Sequence, residues 1–145
     1  MALSRPNSQK IFDPIRGRLV AKTPEEAVRQ RLIQYMIQEC GFPKSLIGVE
    51  KGLTDRRIDL ICFARDLHPE NPLHPLVLAE CKKDTLTEEA VSQAFGYNAQ
   101  IKAPFILLAS PKELRLYFPS ALGMEFVPYL LPYQELIQKA KTLYV

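Results

Sequence analysis

The sequence is short of three features that would assign it to large classes of proteins. No apolar run approaches the roughly 18 residues that a membrane-spanning helix needs. The first ten residues, MALSRPNSQK, lack the apolar core of a secretory signal. The three cysteines show neither CxxC nor Cys/His spacing, which argues against a zinc site and a disulfide framework. Together these absences predict a protein of the reducing cytosol, with a cytoplasmic location and no membrane partner.

The composition is that of one globular domain. The 145 residues suffice to bury a core, and 47% hydrophobic against 24% charged residues argues against disorder. The net charge of +3 is compatible with a polyanionic partner, although basic residues most often form a solvated surface. They gather in three places: Arg16, Arg18 and Lys22; Lys51, Arg56 and Arg57; Lys82 and Lys83.

Local patterns predict three helices. The first begins at the N-cap Thr23, with Pro24 at the first helical position, and ends before Gly41. The second runs from Thr87 to about Ile101, and a short third helix covers about 133–143. The buried stripe of the first helix is predicted to contain Val28, Leu32, Tyr35 and Met36.

Strands are predicted at 46–50, 57–63, 76–81, 105–109 and 114–118, with a turn at 51–55. The stretch 65–75 contains three prolines and is predicted to be a loop. The resulting αβββαβ order favours an α/β (α+β) fold: a mixed β-sheet with a helix on each face and a parallel crossover through the second helix. We divide the chain into an N-terminal arm (1–22), a core (23–118) and a C-terminal extension with a short helix (119–145).

Two predicted strands bring chemically useful side chains to one place. Side chains at i and i+2 of a strand share a face, so Glu80 and Lys82 point the same way. If the strand RIDLI pairs with LAECK, Asp59 stands beside Glu80. Two carboxylates and the carbonyl of Cys81 would suit Mg²⁺ or Mn²⁺ better than zinc. An E-x-K tripeptide alone is common, and a solvated charge cluster at strand ends is the alternative.

These residues resemble the PD-(D/E)xK nuclease superfamily. The runs FDPIRGRLVAKTPEEAVRQRL, GFPKSLIGVEKGL, RRIDLICF, LVLAECKK and QAFGYNAQIKAPFILLAS are similar to small proteins related to the N-terminal nuclease domain of type I restriction enzyme R subunits. The resemblance covers 11–110. It implies a restriction-endonuclease-like fold, and it implies catalytic and metal-binding roles for Asp59, Glu80 and Lys82.

The resemblance also implies further site residues. Gln93 and Tyr97 match a Q-x-x-x-Y motif and lie at i and i+4 on one helix face, where they could contact DNA. An acidic residue of the first helix would reach the metal, and Glu25 and Glu26 both qualify. Glu26 also fits a capping box with Thr23, a purely structural role. The remaining candidate DNA contacts are the basic residues beside the site, Lys83 and Arg57.

The expected function is therefore Mg²⁺-dependent (or Mn²⁺-dependent) hydrolysis of DNA by an endonuclease. The alternatives are a non-cleaving nucleic-acid-binding or assembly module that retains the fold, and an interaction protein that uses its apolar segment 126–131. The sequence contains no P-loop, the motif of a translocating motor. The protein is thus expected to act alone, as a homodimer, or with separate motor and specificity chains.

Overall fold

A computed structural model describes residues 9–52 and 57–143, except for the side chain of Lys51. Within these residues there are three α-helices, α1 (Pro24–Gln38), α2 (Glu88–Ile101) and α3 (Tyr133–Lys141). The same residues form eight strands: β1 (Lys10–Asp13), β2 (Arg18–Ala21), β3 (Ile47–Gly52), β4 (Arg57–His68), β5 (Asn71–Cys81), β6 (Phe105–Ala109), β7 (Leu114–Ser120) and β8 (Gly123–Val127). A 3₁₀ turn, Lys44–Leu46, precedes β3.

Six of the described strands form one mixed sheet in the order β3-β4-β5-β6-β7-β8. The β5–β6 pair is parallel and is connected through α2, while the other neighbours are antiparallel. The predicted crossover and the predicted α+β fold class are confirmed. This arrangement is consistent with a restriction-endonuclease-like fold.

The core has a layer on each side of the sheet. One cluster of buried side chains includes Leu32 and Met36 of α1 and Leu136 of α3. The other includes Ala94 of α2 and Leu78 of β5. The prediction of a helix on each face is therefore confirmed, and β5 is buried on both sides, as its apolar sequence indicated.

The helix starts follow the predicted caps. The side-chain hydroxyl of Thr23 accepts a hydrogen bond from the backbone N–H of Glu26 at 3.1 Å, and Thr87 caps α2 in the same way. Tyr35 was predicted to be buried, and this is wrong: it is 40% exposed. The buried stripe follows the i, i+4 spacing of Val28, Leu32 and Met36, and Tyr35 lies at its flank.

The predicted loop at 65–75 is also wrong, because β4 and β5 form a long hairpin through this stretch. Prolines are compatible with strands where no neighbour needs their missing N–H. Strand β6 pairs with β5 only from Val77 onward, so Pro72 and Pro75 lie where β5 has β4 as its single partner. Pro75 is next to a register shift in β4. Two prolines thus occupy the edge portion of an otherwise central strand.

The structure adds strands before α1 and after β7 that the sequence did not predict. A turn that contains Pro14 and Gly17 connects β1 and β2 in a separate two-stranded hairpin. At the other end, β8 pairs with β7, and the segment 126–131 is therefore partly an edge strand. Residues 1–8 of the arm and 53–55 of the predicted turn lie outside the described residues, and the division into arm, core and extension stays a prediction.

Among the helices of the described ranges, none combines the length and apolar character that crossing a membrane requires.

Candidate metal and nuclease site

The two acidic residues of the predicted site lie where β4 and β5 stop pairing. The last paired residues are Leu60 and Ala79, so one step further along each strand Asp59 stands opposite Glu80. Opposed residues of an antiparallel pair share a face and have close β-carbons. Oδ2 of Asp59 accepts a hydrogen bond of 2.7 Å from the backbone N–H of Cys81. This bond fixes the Asp59 carboxylate against the end of β5.

Glu80 is unusually placed for a carboxylate. It is 4% exposed, and its Oε1 has no hydrogen-bond partner among the described residues. Burial, together with the charge of Asp59, raises the pKa of Glu80 to about 9. The ammonium group of Lys82 opposes this rise in pKa only in part. Burial and the neighbouring carboxylate thus favour the protonated form of Glu80.

Lys82 follows directly after β5 and is held there by its backbone N–H, which donates to the carbonyl of Ala109 at 2.8 Å. Its side chain lines a groove of about 310 Å³ together with Glu25 of α1 and Gln93 of α2. We call this the site groove because Lys82 lines it; Asp59 and Glu80 are not among its lining residues. Its remaining lining residues are Lys83, Asp84, Thr85, Thr87, Glu89 and Ala90.

The other predicted DNA contacts are placed less uniformly. Lys83 and Gln93 are exposed and line the site groove. Tyr97, one helical turn beyond Gln93, is half-buried and packs against the core cluster under α2. Arg57 has a side chain that is 74% exposed and lies 3.5 Å from Glu50. The structure therefore brings Gln93 and Lys83 to the groove, and it places Tyr97 and Arg57 at other contacts.

The two acidic candidates on α1 separate. Glu25 lines the site groove, whereas Glu26 is buried. One of the two hydrogen bonds of the predicted capping box forms, from the Glu26 N–H to the Thr23 hydroxyl. The other does not, because the Thr23 N–H donates to the carbonyl of Ala21 and not to the Glu26 carboxylate. Both carboxylate oxygens of Glu26 have other partners: Oε1 accepts from Arg16 at 2.7 Å and Oε2 from Gln30 at 3.0 Å.

Glu26 belongs to a group of charged residues that the sequence did not reveal. We call it the arginine cluster, and it comprises Asp13, Arg16, Glu26, Arg29 and Glu50. Arg16, expected on a solvated surface, donates from its three guanidinium nitrogens to Asp13, Glu26 and Glu50. Arg29 connects the cluster to the site, because its Nη2 lies 3.7 Å from Oδ1 of Asp59.

The sequence carried little signal for this cluster. Glu26 and Arg29 have the i, i+3 spacing of a helical ion pair, which is common on solvated helix faces. Glu50 adopts a left-handed backbone conformation, with φ of 51°, and stands opposite Asp59 across β3 and β4. Such a conformation is unusual for glutamate and needs support from its surroundings. The ion pairs of the arginine cluster provide that support.

Titration in the arginine cluster follows its ion pairs. Burial opposes ionisation of Asp13 and Glu50, but contacts with the arginines outweigh it and lower the pKa of both carboxyls. The opposite shift at Glu80 marks the difference between the cluster and the site. Among residues 9–52 and 57–143, no three His, Cys, Asp or Glu side chains are grouped for metal binding. The predicted site would thus rely on two carboxylates and a backbone carbonyl.

Comparison with known proteins identifies the family. A family described as the type I restriction enzyme R protein N terminus matches residues 24–118, about two thirds of the chain. The chain belongs to this family. The expected resemblance is confirmed, and the chain is nuclease-like. No curated protein and no solved structure matches it. The matched region contains α1, the β4–β5 pair and the site groove, while the β1–β2 hairpin lies before it.

Proposed function

We propose that this protein hydrolyses phosphodiester bonds of DNA with a divalent metal ion at Asp59 and Glu80. The observation that carries the proposal is the opposition of these two carboxylates at the end of a buried strand. Like charges directly opposite each other destabilise a sheet, and an unpaired buried carboxylate is costly. A bound divalent cation would offset the repulsion between the two carboxylates, and metal-dependent catalysis would explain why the protein keeps them there.

The donor set fits Mg²⁺ or Mn²⁺. Oε1 of Glu80 is buried without a hydrogen-bond donor among the described residues, so it remains available to a cation. The N–H and C=O of a strand residue point to the same side, and the Cys81 N–H faces Asp59. The Cys81 carbonyl is thereby a suitable third ligand. When bound, the ion would activate water and neutralise charge on the phosphate.

The chain's own residues would orient the substrate. The ammonium group of Lys82 would contact the scissile phosphate or hold the attacking water, and Lys83 would add a second positive charge at the groove. Gln93 would hydrogen-bond the DNA backbone from α2. Glu25 is the acidic residue of α1 that faces the groove, so we assign it, rather than Glu26, the role of reaching the metal shell. Glu26 instead supports Arg29.

Plasmid nicking tests the proposal. Supercoiled DNA is incubated with the purified protein and Mg²⁺ or Mn²⁺, and EDTA serves as the metal-free control. We expect nicking by the wild type and at least a ~100-fold loss in Asp59→Asn and Lys82→Met, since each removes one element of the centre.

Matched controls keep the test specific. Asp66→Asn changes an exposed aspartate at the far end of β4 in a backbone conformation that asparagine accepts, and Lys139→Met changes an exposed lysine of α3. Both should nick like the wild type. Undiminished nicking in Asp59→Asn or Lys82→Met would refute the proposed centre.

A non-cleaving DNA-binding module is the second candidate, and one observation favours it. Both oxygens of Asp59 already have protein neighbours, the Cys81 N–H and Arg29. Salt-sensitive retardation of DNA in gels, with no cleavage in either metal ion, would support this alternative. Homodimerisation or association with separate motor and specificity chains stays a prediction, which light scattering and co-purification would test.

A further inference from the structure

Arg29 has an unusual environment for a buried cation. The residue is 7% exposed and lies near three carboxylates: Glu50 at 3.3 Å, Glu26 at 3.5 Å and Asp59 at 3.7 Å. Its Nε and Nη1 nevertheless make no hydrogen bond with any residue that the structure describes. Buried guanidinium groups usually have their donors satisfied, because an unmade hydrogen bond to a charged group is costly. Arg29 is therefore held mainly by charge.

Arg16 provides the contrast within the same cluster. All three of its guanidinium nitrogens donate hydrogen bonds to carboxylates. Directional hydrogen bonds as well as charge therefore fix the position of Arg16. Arg29 meets its carboxylates at longer distances and from between them. A small shift toward Glu26 and Glu50 would let it form the hydrogen bonds that it now lacks. A movement in this direction would therefore satisfy the unpaired donors of Arg29.

Asp59 is the fixed member of its contact with Arg29. Its Oδ2 accepts a hydrogen bond of 2.7 Å from the Cys81 N–H. Its Oδ1 lies 3.7 Å from Nη2 of Arg29, which is too far for a hydrogen bond. An ion that bound Asp59 would thus leave the carboxylate in place and repel the guanidinium. The displaced guanidinium group of Arg29 would then lie closer to the carboxylates of Glu26 and Glu50.

We infer that Arg29 is an internal counter-ion of the site: it neutralises Asp59 in the metal-free protein and moves toward Glu26 and Glu50 when a divalent ion binds. This inference rests on the proposed function, because it assumes that Asp59 binds the ion. Arg29 then competes with the metal for Asp59 and sets the metal affinity. It is a positioning residue, and it does not contact the substrate.

Mn²⁺ binding, followed through the electron paramagnetic resonance signal of the free ion, tests this role without DNA. Arg29→Gln should bind Mn²⁺ about tenfold more tightly than the wild type, since a positive charge a few ångströms from a divalent ion is removed. Arg31→Gln changes an exposed arginine of the same helix whose side chain contacts Pro111, and it should match the wild type. Equal or weaker binding by Arg29→Gln would overturn the inference.

A second variant covers the case in which Arg29→Gln does not fold. Arg29→Lys keeps the positive charge beside Glu26 and Glu50 but has a shorter reach and no planar fork. It should therefore bind Mn²⁺ more tightly than the wild type, by about threefold. Wild-type or weaker affinity in Arg29→Lys would count against the inference in the same way.

The wild-type protein offers a direct readout. The Nε–H resonance of Arg29 should shift on titration with Mg²⁺, because the guanidinium gains hydrogen bonds when it moves toward Glu26 and Glu50. The Nε–H resonance of the exposed Arg18 is the control and should not move. An Arg29 resonance that is unchanged at saturating Mg²⁺ would overturn the inference.

The two proposals fail in different ways. If Asp59→Asn binds Mn²⁺ as well as the wild type does, the proposed function fails, and the inference fails with it. If Asp59→Asn abolishes binding but neither Arg29 variant binds more tightly, the metal site stands and only the counter-ion role is wrong. Binding that appears only in an Arg29 variant would support both.

Discussion

In the arginine cluster both oxygens of Glu26 meet N–H donors, whereas in the neighbouring site Oε1 of Glu80 meets none among the described residues. Both carboxylates are almost fully buried. Among the carboxyls whose pKa shifts, burial opposes ionisation of Glu50 in the cluster but nearby arginines lower its pKa, whereas burial beside Asp59 raises the pKa of Glu80. The comparison indicates that the buried carboxylate of the cluster has its partners within the protein, whereas Oε1 of Glu80 has none among the described residues, as the proposed metal site would require.

The largest effect is expected from removing the residue that ties the cluster together. Arg16→Met should lower the free energy of unfolding by about 3–5 kcal/mol, because Asp13, Glu26 and Glu50 lose a buried partner. Denaturant titration of the metal-free protein measures this loss. Arg18→Met, an exposed position on the same hairpin, is the control. Equal stability of the two variants would show that the cluster does not stabilise the fold.

Glu26→Gln and Glu80→Gln are expected to differ in both stability and Mn²⁺ binding. Glu26→Gln should lower the free energy of unfolding by roughly 2–4 kcal/mol and retain Mn²⁺ binding, since Glu26 pairs with arginines. Glu80→Gln should raise the free energy of unfolding at pH 7, because glutamine removes the proton uptake that folding imposes on Glu80, and it should lose Mn²⁺ binding. Thermal unfolding with and without Mn²⁺ measures both properties. The reverse pattern would contradict our distinction between cluster and site.

The pH dependence of stability follows from Glu80. Its folded pKa of about 9 lies above its ordinary value of 4.5, so the folded state retains a proton that the unfolded state releases. The contribution of protonated Glu80 to the free energy of unfolding is complete below about pH 4.5 and is lost as the pH rises toward 9. Unfolding at a series of pH values, without metal, should show this decline in the wild type and a shallower one in Glu80→Gln. Identical profiles would refute the assignment.

The smallest effect is expected at the rim of the site groove. Gln93→Ala should raise the KM for DNA a few-fold and leave kcat nearly unchanged, because it removes one hydrogen bond to the substrate backbone. Gln100→Ala, at an exposed position near the end of the same helix, should behave like the wild type. Equal kinetics for both variants would remove Gln93 from the DNA-binding surface.

Local signals predicted most of the fold. Thr23 and Thr87 identified the helix starts, and apolar runs identified the strands on either side of α2. The prolines of β5 led to the wrong prediction of a loop. A strand accepts proline where no neighbouring strand needs its missing N–H, and the local sequence does not show where the neighbouring strands pair. The register that opposes Asp59 and Glu80 follows from pairing the two strands, and the sequence anticipated it. These features depend on residues close together in the chain or on adjacent strands.

The arginine cluster could not be predicted in the same way. Arg16 and Glu50 are 34 residues apart, and nothing in the local sequence distinguishes Arg16 from the exposed Arg18. Their contact forms only because the fold brings the turn between β1 and β2 close to Glu50 of β3. Without this information the sequence left Glu25 and Glu26 as equal candidates for the metal shell. The structure leaves Glu25 as the residue of the pair that faces the site groove.

Anomalous scattering from a crystal soaked in Mn²⁺ is the most direct test of the central claim. We predict one strong peak bound by Asp59, Glu80 and the carbonyl of Cys81, with no peak between Glu26 and Glu50. A peak within the arginine cluster, or no peak beside Asp59 at saturating Mn²⁺, would contradict the account.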